Sequence, residues 1–242
     1  MKPAIVLVHG AWGGAWIWRR VLAPLRLAGH EVHAVTLTGD GERAHLRSPG
    51  IGLRTHIDDV LGLVKCEGLR DIVLVGHSYG GMCITGAADA LLAQDRGLMR
   101  ALVYVDAQVP LPGESWSSLH SAETVAQRTA VAAQHGGALP PPDPAVFGIE
   151  GADRDWLLRH HVPHPFGPYR DLLHYSAERL ASVPRTYLAC VEPAFATVLP
   201  HHERVRAMAG WKLQEMRTGH CPMVTAPAEL TALLLEAADG ED

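Results

Sequence analysis

Between Asp71 and Gly81 the chain reads Asp-Ile-Val-Leu-Val-Gly-His-Ser-Tyr-Gly-Gly. Four apolar residues, Ile72 to Val75, run straight into Gly76-His77-Ser78-Tyr79-Gly80, and small, helix-compatible residues follow from Gly81 through Ala90. This order predicts a buried strand, a very tight turn and a helix. A serine at the apex of such a turn sits in a strained backbone conformation with its hydroxyl held above the sheet edge. Gly76 and Gly80 are needed because a Cβ at either position would collide with the neighbouring turn of chain. The pattern carries meaning only with a strand before it and a helix after it, and this sequence supplies both.

The remainder of the chain must therefore supply a sheet. Ala4 to Val8 is a continuous apolar run, too short for a helix, and reads as a parallel strand buried on both faces. It ends in His9-Gly10-Ala11-Trp12-Gly13-Gly14, a glycine-rich loop at the carboxyl edge, where open α/β sheets place their sites. Ala15 to Ala28 reads as a helix ended by Gly29, with Pro24 as its weak point. Glu31 to Leu37 is the next strand, and Thr55 is a candidate cap for a helix carrying Ile57, Val60, Leu61 and Val64. After the Ser78 turn comes a helix to about Gln94, then a strand from Ala101 to Val105 that ends at Asp106. Strands and helices alternate, the signature of a parallel sheet.

The character changes near Pro110. Residues 110–183 hold most of the prolines, among them Pro140, Pro141, Pro142 and Pro144, and no buried strand is evident. Helical stretches are expected over Ser121 to Gln134, Ala152 to His160 and Pro168 to Arg179. The rhythm resumes with a strand at Arg185 to Val191, a short helix at Glu203 to Met208, a last strand at Trp211 to Met216 and a closing amphipathic helix at Ala226 to Ala238. One domain follows, with 1–109 and 184–242 forming an α/β core of about six mostly parallel strands and 110–183 inserted as a helical cap.

Composition narrows the function. The 242 residues carry a net charge of −5 and no basic run, which argues against a nucleic-acid or anionic-membrane partner. Cys66, Cys83, Cys190 and Cys221 show no paired spacing and read as reduced thiols. No signal segment and no apolar run of membrane-spanning length is present, so a cytoplasmic protein is expected. Fifteen histidines are scattered without metal spacing and read mostly as loop and surface residues. Neither a metal nor a cofactor is implied; the glycine loop lacks G-x-G-x-x-G.

A serine hydroxyl becomes a nucleophile only when a neutral imidazole, oriented by a carboxylate, takes its proton. His220, in the loop Thr218-Gly219-His220 after the last strand, is in the right place and chain order for that base. At this point the chain is similar to the α/β-hydrolase superfamily, and within it to the compact group of plant methyl-ester esterases, hydroxynitrile lyases and bacterial esterases. The matching pieces are Val8-His9-Gly10-Ala11-Trp12, Leu37-Thr38-Gly39 with Gly41-Glu42-Arg43, Gly76 through Met82, Tyr104-Val105-Asp106-Ala107, and Thr218-Gly219-His220 with Met223. In such proteins the acid usually follows the strand expected here at Arg185 to Val191. Glu192 is the only acid in that loop and is the first choice; Asp106, at the end of the preceding strand, is the rival.

The developing oxyanion needs two preorganised donors, and the backbone N–H groups of Tyr79 and Ala11 are the candidates. His9 and His77 flank the site and are expected to brace its loops rather than to react; with Trp12, Trp116 and Trp156 they are also the candidates for its substrate-contacting wall. The lyases of the group are associated with a threonine beside the oxyanion loop and a lysine near the histidine. Here Ala11 stands at the first position and Arg217 to Met223 contains no lysine. The resemblance therefore implies a serine hydrolase acting on a small, largely apolar ester, lactone or thioester through an acyl-enzyme, as a monomer or homodimer. Acyl transfer, C–C cleavage or cyclisation on the same fold, and a low-turnover ligand-binding role, are the alternatives.

Overall fold

The computed structural model describes residues 2–240. Six strands form one parallel sheet: β1 (Ala4–Val8), β2 (Val32–Val35), β3 (Ile72–His77), β4 (Met99–Val105), and beyond a long insertion the pair Arg185–Cys190 and Lys212–Met216. The insertion carries its own short antiparallel pair, β5 (Ala138–Leu139) and β6 (His164–Pro165), so the last two strands of the main sheet are β7 and β8. The main sheet runs β2-β1-β3-β4-β7-β8.

Residue alternation builds a core on each face. Val6, Val8, Leu74, Leu102 and Tyr104 point to one side, where α2 (Leu53–Glu67) and α3 (Gly80–Gln94) pack once α1 (Arg19–Leu27) has crossed to the other. Ile5, Leu7, Val73, Val75 and Val103 face that other side. Both faces are covered, which is why the strands read as unbroken apolar runs. Strand order reverses between β1 and β3, so the loops leaving their carboxyl ends diverge and open a crevice there.

The first helical segment begins as a 3-10 turn at Ala15–Trp18, and α1 then continues through Pro24. The insertion contains α4 (Ala122–Gln134), capped by the Ser121 hydroxyl, and α5 (Gly151–His160). The expected helix from Pro168 to Arg179 is instead two single turns, α6 (Gly167–Arg170) and α7 (Ala177–Leu180). Between them Leu173 bridges to Glu114, and Asp171 turns away to accept from the Leu53 N–H at 2.8 Å. After β7 come α8 (Leu199–Ala207), β8, the single turn α9 (Pro222–Thr225) and α10 (Pro227–Asp239). No helix among the described residues is long and apolar enough to cross a membrane.

The insertion is tied to the core by buried polar contacts. His164 Nδ1 meets Asp40 Oδ2 at 2.8 Å with both side chains fully buried. The Trp12 indole N–H donates to the Leu139 carbonyl at 2.9 Å, and the Val162 N–H donates to the Trp12 carbonyl at 3.1 Å.

Candidate active site

The turn after β3 places Ser78 at φ 52°, a left-handed conformation that L-residues rarely adopt. It closes only because two glycines let backbones touch. A Cβ on Gly76 would lie 2.7 Å from the Gly80 carbonyl oxygen, and one on Gly80 would lie 2.7 Å from that of Val8. The four described non-glycine residues with positive φ are Trp12, Asp71, Ser78 and Asp106, and all but Asp71 gather at the crevice. Backbone strain concentrates where side chains must be aimed.

His220 Nε2 lies 3.0 Å from Ser78 Oγ, and His220 Nδ1 lies 2.6 Å from Asp106 Oδ2. Asp106 Oδ1 receives His202 Nε2 at 2.6 Å and the Cys190 N–H at 3.0 Å. A carboxylate only accepts, so these contacts fix tautomers: His220 carries its proton on Nδ1 and His202 on Nε2. The bare Nε2 of His220 is left to accept from the Ser78 hydroxyl. Burial alone would push the Asp106 carboxyl up, but the bonds from His202 and His220 outweigh it and bring its pKa down to about 2. Asp106 is therefore an anion throughout the neutral range.

The histidine is held from several sides. The His220 N–H donates to the Phe147 carbonyl at 3.2 Å, and its carbonyl accepts from His77 Nε2 at 2.7 Å. The Phe195 and Phe147 rings lie 4.5 and 5.3 Å from the imidazole. His77 is pushed down to about 3 by burial and by the neighbouring His220, so it stays neutral beside the site.

Two amides flank the serine. Tyr79 begins the turn into α3, its hydroxyl drawn away to donate to His56 Nδ1 at 2.9 Å. The loop after β1 brings Ala11 to the same place. Gly10 permits the approach: a Cβ there would lie 2.8 Å from Ser78 Cβ. Among the described residues, neither the Ala11 nor the Tyr79 N–H is donated to another protein group. The space above Ser78 is a cavity of about 20 Å³, room for one water. Its walls include Ala11, Trp12, His77, Phe147, His161 and His220.

A serine on a strand-to-helix turn, a histidine after the last strand and an acid after β4 form one hydrogen-bonded line at the carboxyl edge of a parallel sheet. The profile of the alpha/beta hydrolase family matches residues 5–233. The chain belongs to this family. Among its alpha/beta hydrolase relatives, a carbendazim hydrolyzing esterase of Nocardioides sp. (strain SG-4G) is 38% identical over 95% of this chain and 97% of its own. Methylesterase 7 of Arabidopsis thaliana is 30% identical over 98% of this chain and 97% of its own. An extracellular alpha/beta-hydrolase from a Paenibacillus species superposes with a TM-score of 0.80 at 22% identity, covering 98% of this chain and 100% of that one.

Within this alpha/beta hydrolase site several expected residues are elsewhere. Glu192 is exposed, its backbone N–H donating to the Thr218 carbonyl at 3.2 Å, and its carboxylate makes no contact with His220. The contact falls to Asp106, whose left-handed turn aims its short side chain back under the histidine. His9 is fully buried beneath the loop, between the Gly10 carbonyl at 2.6 Å and the Leu37 N–H at 3.0 Å, so it braces and does not face the cavity. Trp116 packs behind Trp12 at 6.2 Å. Trp156 lies away from the site, edge-on to Trp16 at 5.1 Å. Trp12 and His77 do line the cavity.

Eight of the fifteen histidines are buried, against the expectation that most lie in loops or on the surface. His202 grips the second oxygen of Asp106. Its only sequence trace is the His201-His202 pair on what proves to be the amino-terminal half of α8.

Proposed function

We propose that the protein is a serine hydrolase of small, largely apolar carboxylic esters, with Ser78 as nucleophile, His220 as general base and Asp106 as the orienting acid. The observation that carries this reading is the unbroken line from Ser78 Oγ through His220 to Asp106 Oδ2, with links of 3.0 and 2.6 Å. Ser78 Oγ attacks the ester carbonyl carbon while its proton passes to His220 Nε2. The carbonyl oxygen becomes an oxyanion held by the Ala11 and Tyr79 amides. The leaving alcohol takes the proton from His220. Water then attacks the acyl group, giving a proton to His220, and the acid departs as Ser78 Oγ takes that proton from His220.

Similarity to an esterase that hydrolyses carbendazim and to a methylesterase, over nearly the whole chain, supports a small ester substrate. The site-lining segments of 110–183 act in this reading as a cap that excludes water. Four free cysteines support a cytoplasmic setting. The test is turnover of p-nitrophenyl butyrate with product analysis. A burst of nitrophenol followed by steady release of butyrate, both lost in Ser78→Ala, is expected. Undiminished turnover in Ser78→Ala, or transfer of the acyl group only to an added alcohol and never to water, would overturn it.

A further inference from the structure

The cavity at Ser78 is too small for anything beyond the reacting atoms, so the body of a substrate must lie elsewhere. Beside it is a groove of about 420 Å³, within the size range of small-ligand sites. Trp12 lines both spaces. Phe195, on the groove wall, lies tilted against the His220 ring with centroids 4.5 Å apart. The other walls are mostly apolar, formed by Val131, Leu139, Pro142 and Val146.

One charged side chain stands in this lining. Arg128, on α4, holds its guanidinium carbon 5.3 Å from the centre of the Tyr169 ring and 5.7 Å from that of Trp116. Its electrostatic partner is the Tyr169 phenol rather than a carboxylate, and its Nη1 is buried without a hydrogen-bond partner. Burial pushes its pKa down, the direction expected of a cation short of a counter-charge. Half-buried arginines are ordinarily paired, and buried donors ordinarily find acceptors. This end of the groove therefore carries a positive charge with no carboxylate to balance it.

We propose that the groove is the distal subsite of the substrate and that Arg128 receives a carboxylate there, so that the preferred substrates are apolar esters bearing an acid group at the end remote from the scissile bond. The proposal rests on the ester-hydrolase reading for its chemistry. A planar guanidinium offers two parallel N–H groups, which match a carboxylate, while the rings of Trp12 and Phe195 cover the intervening apolar chain.

The test compares p-nitrophenyl hemi-esters of linear dicarboxylic acids with neutral p-nitrophenyl alkanoates of matched length, over a series of chain lengths. At the length that spans the two sites, kcat/KM for the anionic ester should exceed that for its neutral partner by about tenfold or more, chiefly through KM. In Arg128→Leu that ratio should fall to about one, and Arg128→Lys should restore part of it. A ratio near one at every length in the wild type, or a preference that survives in Arg128→Leu, would overturn the proposal. Calorimetric titration of Ser78→Ala protein with the same ester pairs reads recognition without chemistry. Tighter binding of the anionic ester, lost in the Arg128→Leu double variant, supports the subsite even if turnover proves absent, whereas equal binding of both esters counts against it.

Discussion

Asp106 and His202 meet at 2.6 Å across 96 residues of sequence, and the second oxygen of the same carboxylate meets His220 at 2.6 Å. The carboxylate is thus clamped between two imidazoles, with the Cys190 amide as a third donor. Its orientation does not depend on the histidine it serves. Asp106→Asn should leave the fold intact and lower kcat on p-nitrophenyl butyrate by about 10⁴-fold, because an amide can hold His220 in the wrong tautomer. Glu192→Gln should change kcat by less than about twofold, as expected for an exposed carboxylate away from the histidine. The reverse ranking in steady-state assays would place the acid after β7 instead.

Removing His202 should be felt as stability first. His202→Phe leaves Asp106 with one donor fewer in a buried place, a loss of about 1.5–3 kcal/mol that urea unfolding would read. The pH dependence follows from the direction of the Asp106 shift. Its folded pKa, about 2, lies below the ordinary 3.8, so its contribution is complete above about pH 4 and is lost as pH falls toward 2. In His202→Phe the loss should begin at higher pH. Superimposable acid-unfolding curves for the two proteins would contradict this role.

Asp40 behaves in the opposite sense. Burial raises its pKa to about 7, so the folded protein holds a proton that the unfolded chain has released. That contribution favours folding at low pH and fades as pH rises from about 4 to 7. Asp40→Asn, which cannot ionise, should therefore gain in Tm relative to wild type as pH is raised across that window. A Tm difference that stays constant or shrinks from pH 4.5 to 8 would show that Asp40 is ionised through its pairing with His164 instead.

Gly10 is where the Ala11 loop passes the nucleophile. In Gly10→Ala the new methyl group would meet Ser78 Cβ at 2.8 Å and His77 Nδ1 at 3.0 Å, so the loop must retreat. Losing one aligned oxyanion donor costs about 10²–10³ in kcat. The expected result is a drop of that size with a cooperative melt retained. Wild-type kcat in a folded Gly10→Ala protein would remove Ala11 from the oxyanion site.

Much of the fold was legible because each signal was local. Ile72 to Val75 had to be a doubly buried strand, and Gly76 and Gly80 had to flank a turn that backbones approach closely. That His220 would lie beside Ser78 could be read from chain order alone. Which carboxylate meets His220 was not legible, since Glu192 and Asp106 both follow strands. What separates them is the left-handed turn at Asp106 and the reach of α8, which brings His202 across the gap. Neither leaves a residue pattern. The stretch from Pro168 to Arg179 misled for a related reason: its apolar residues suit a helix, but Asp171 and Leu173 are drawn off to Leu53 and Glu114. Tertiary contacts overrode local preference there.

The most direct measurement is intact-mass detection of a fluorophosphonate probe on wild type, Ser78→Ala and Asp106→Asn. One adduct per chain on the wild type, none on Ser78→Ala and much slower labelling of Asp106→Asn is the expected result. A folded wild type that takes no adduct, or equal labelling rates for wild type and Asp106→Asn, would contradict a Ser78 activated through His220 and Asp106.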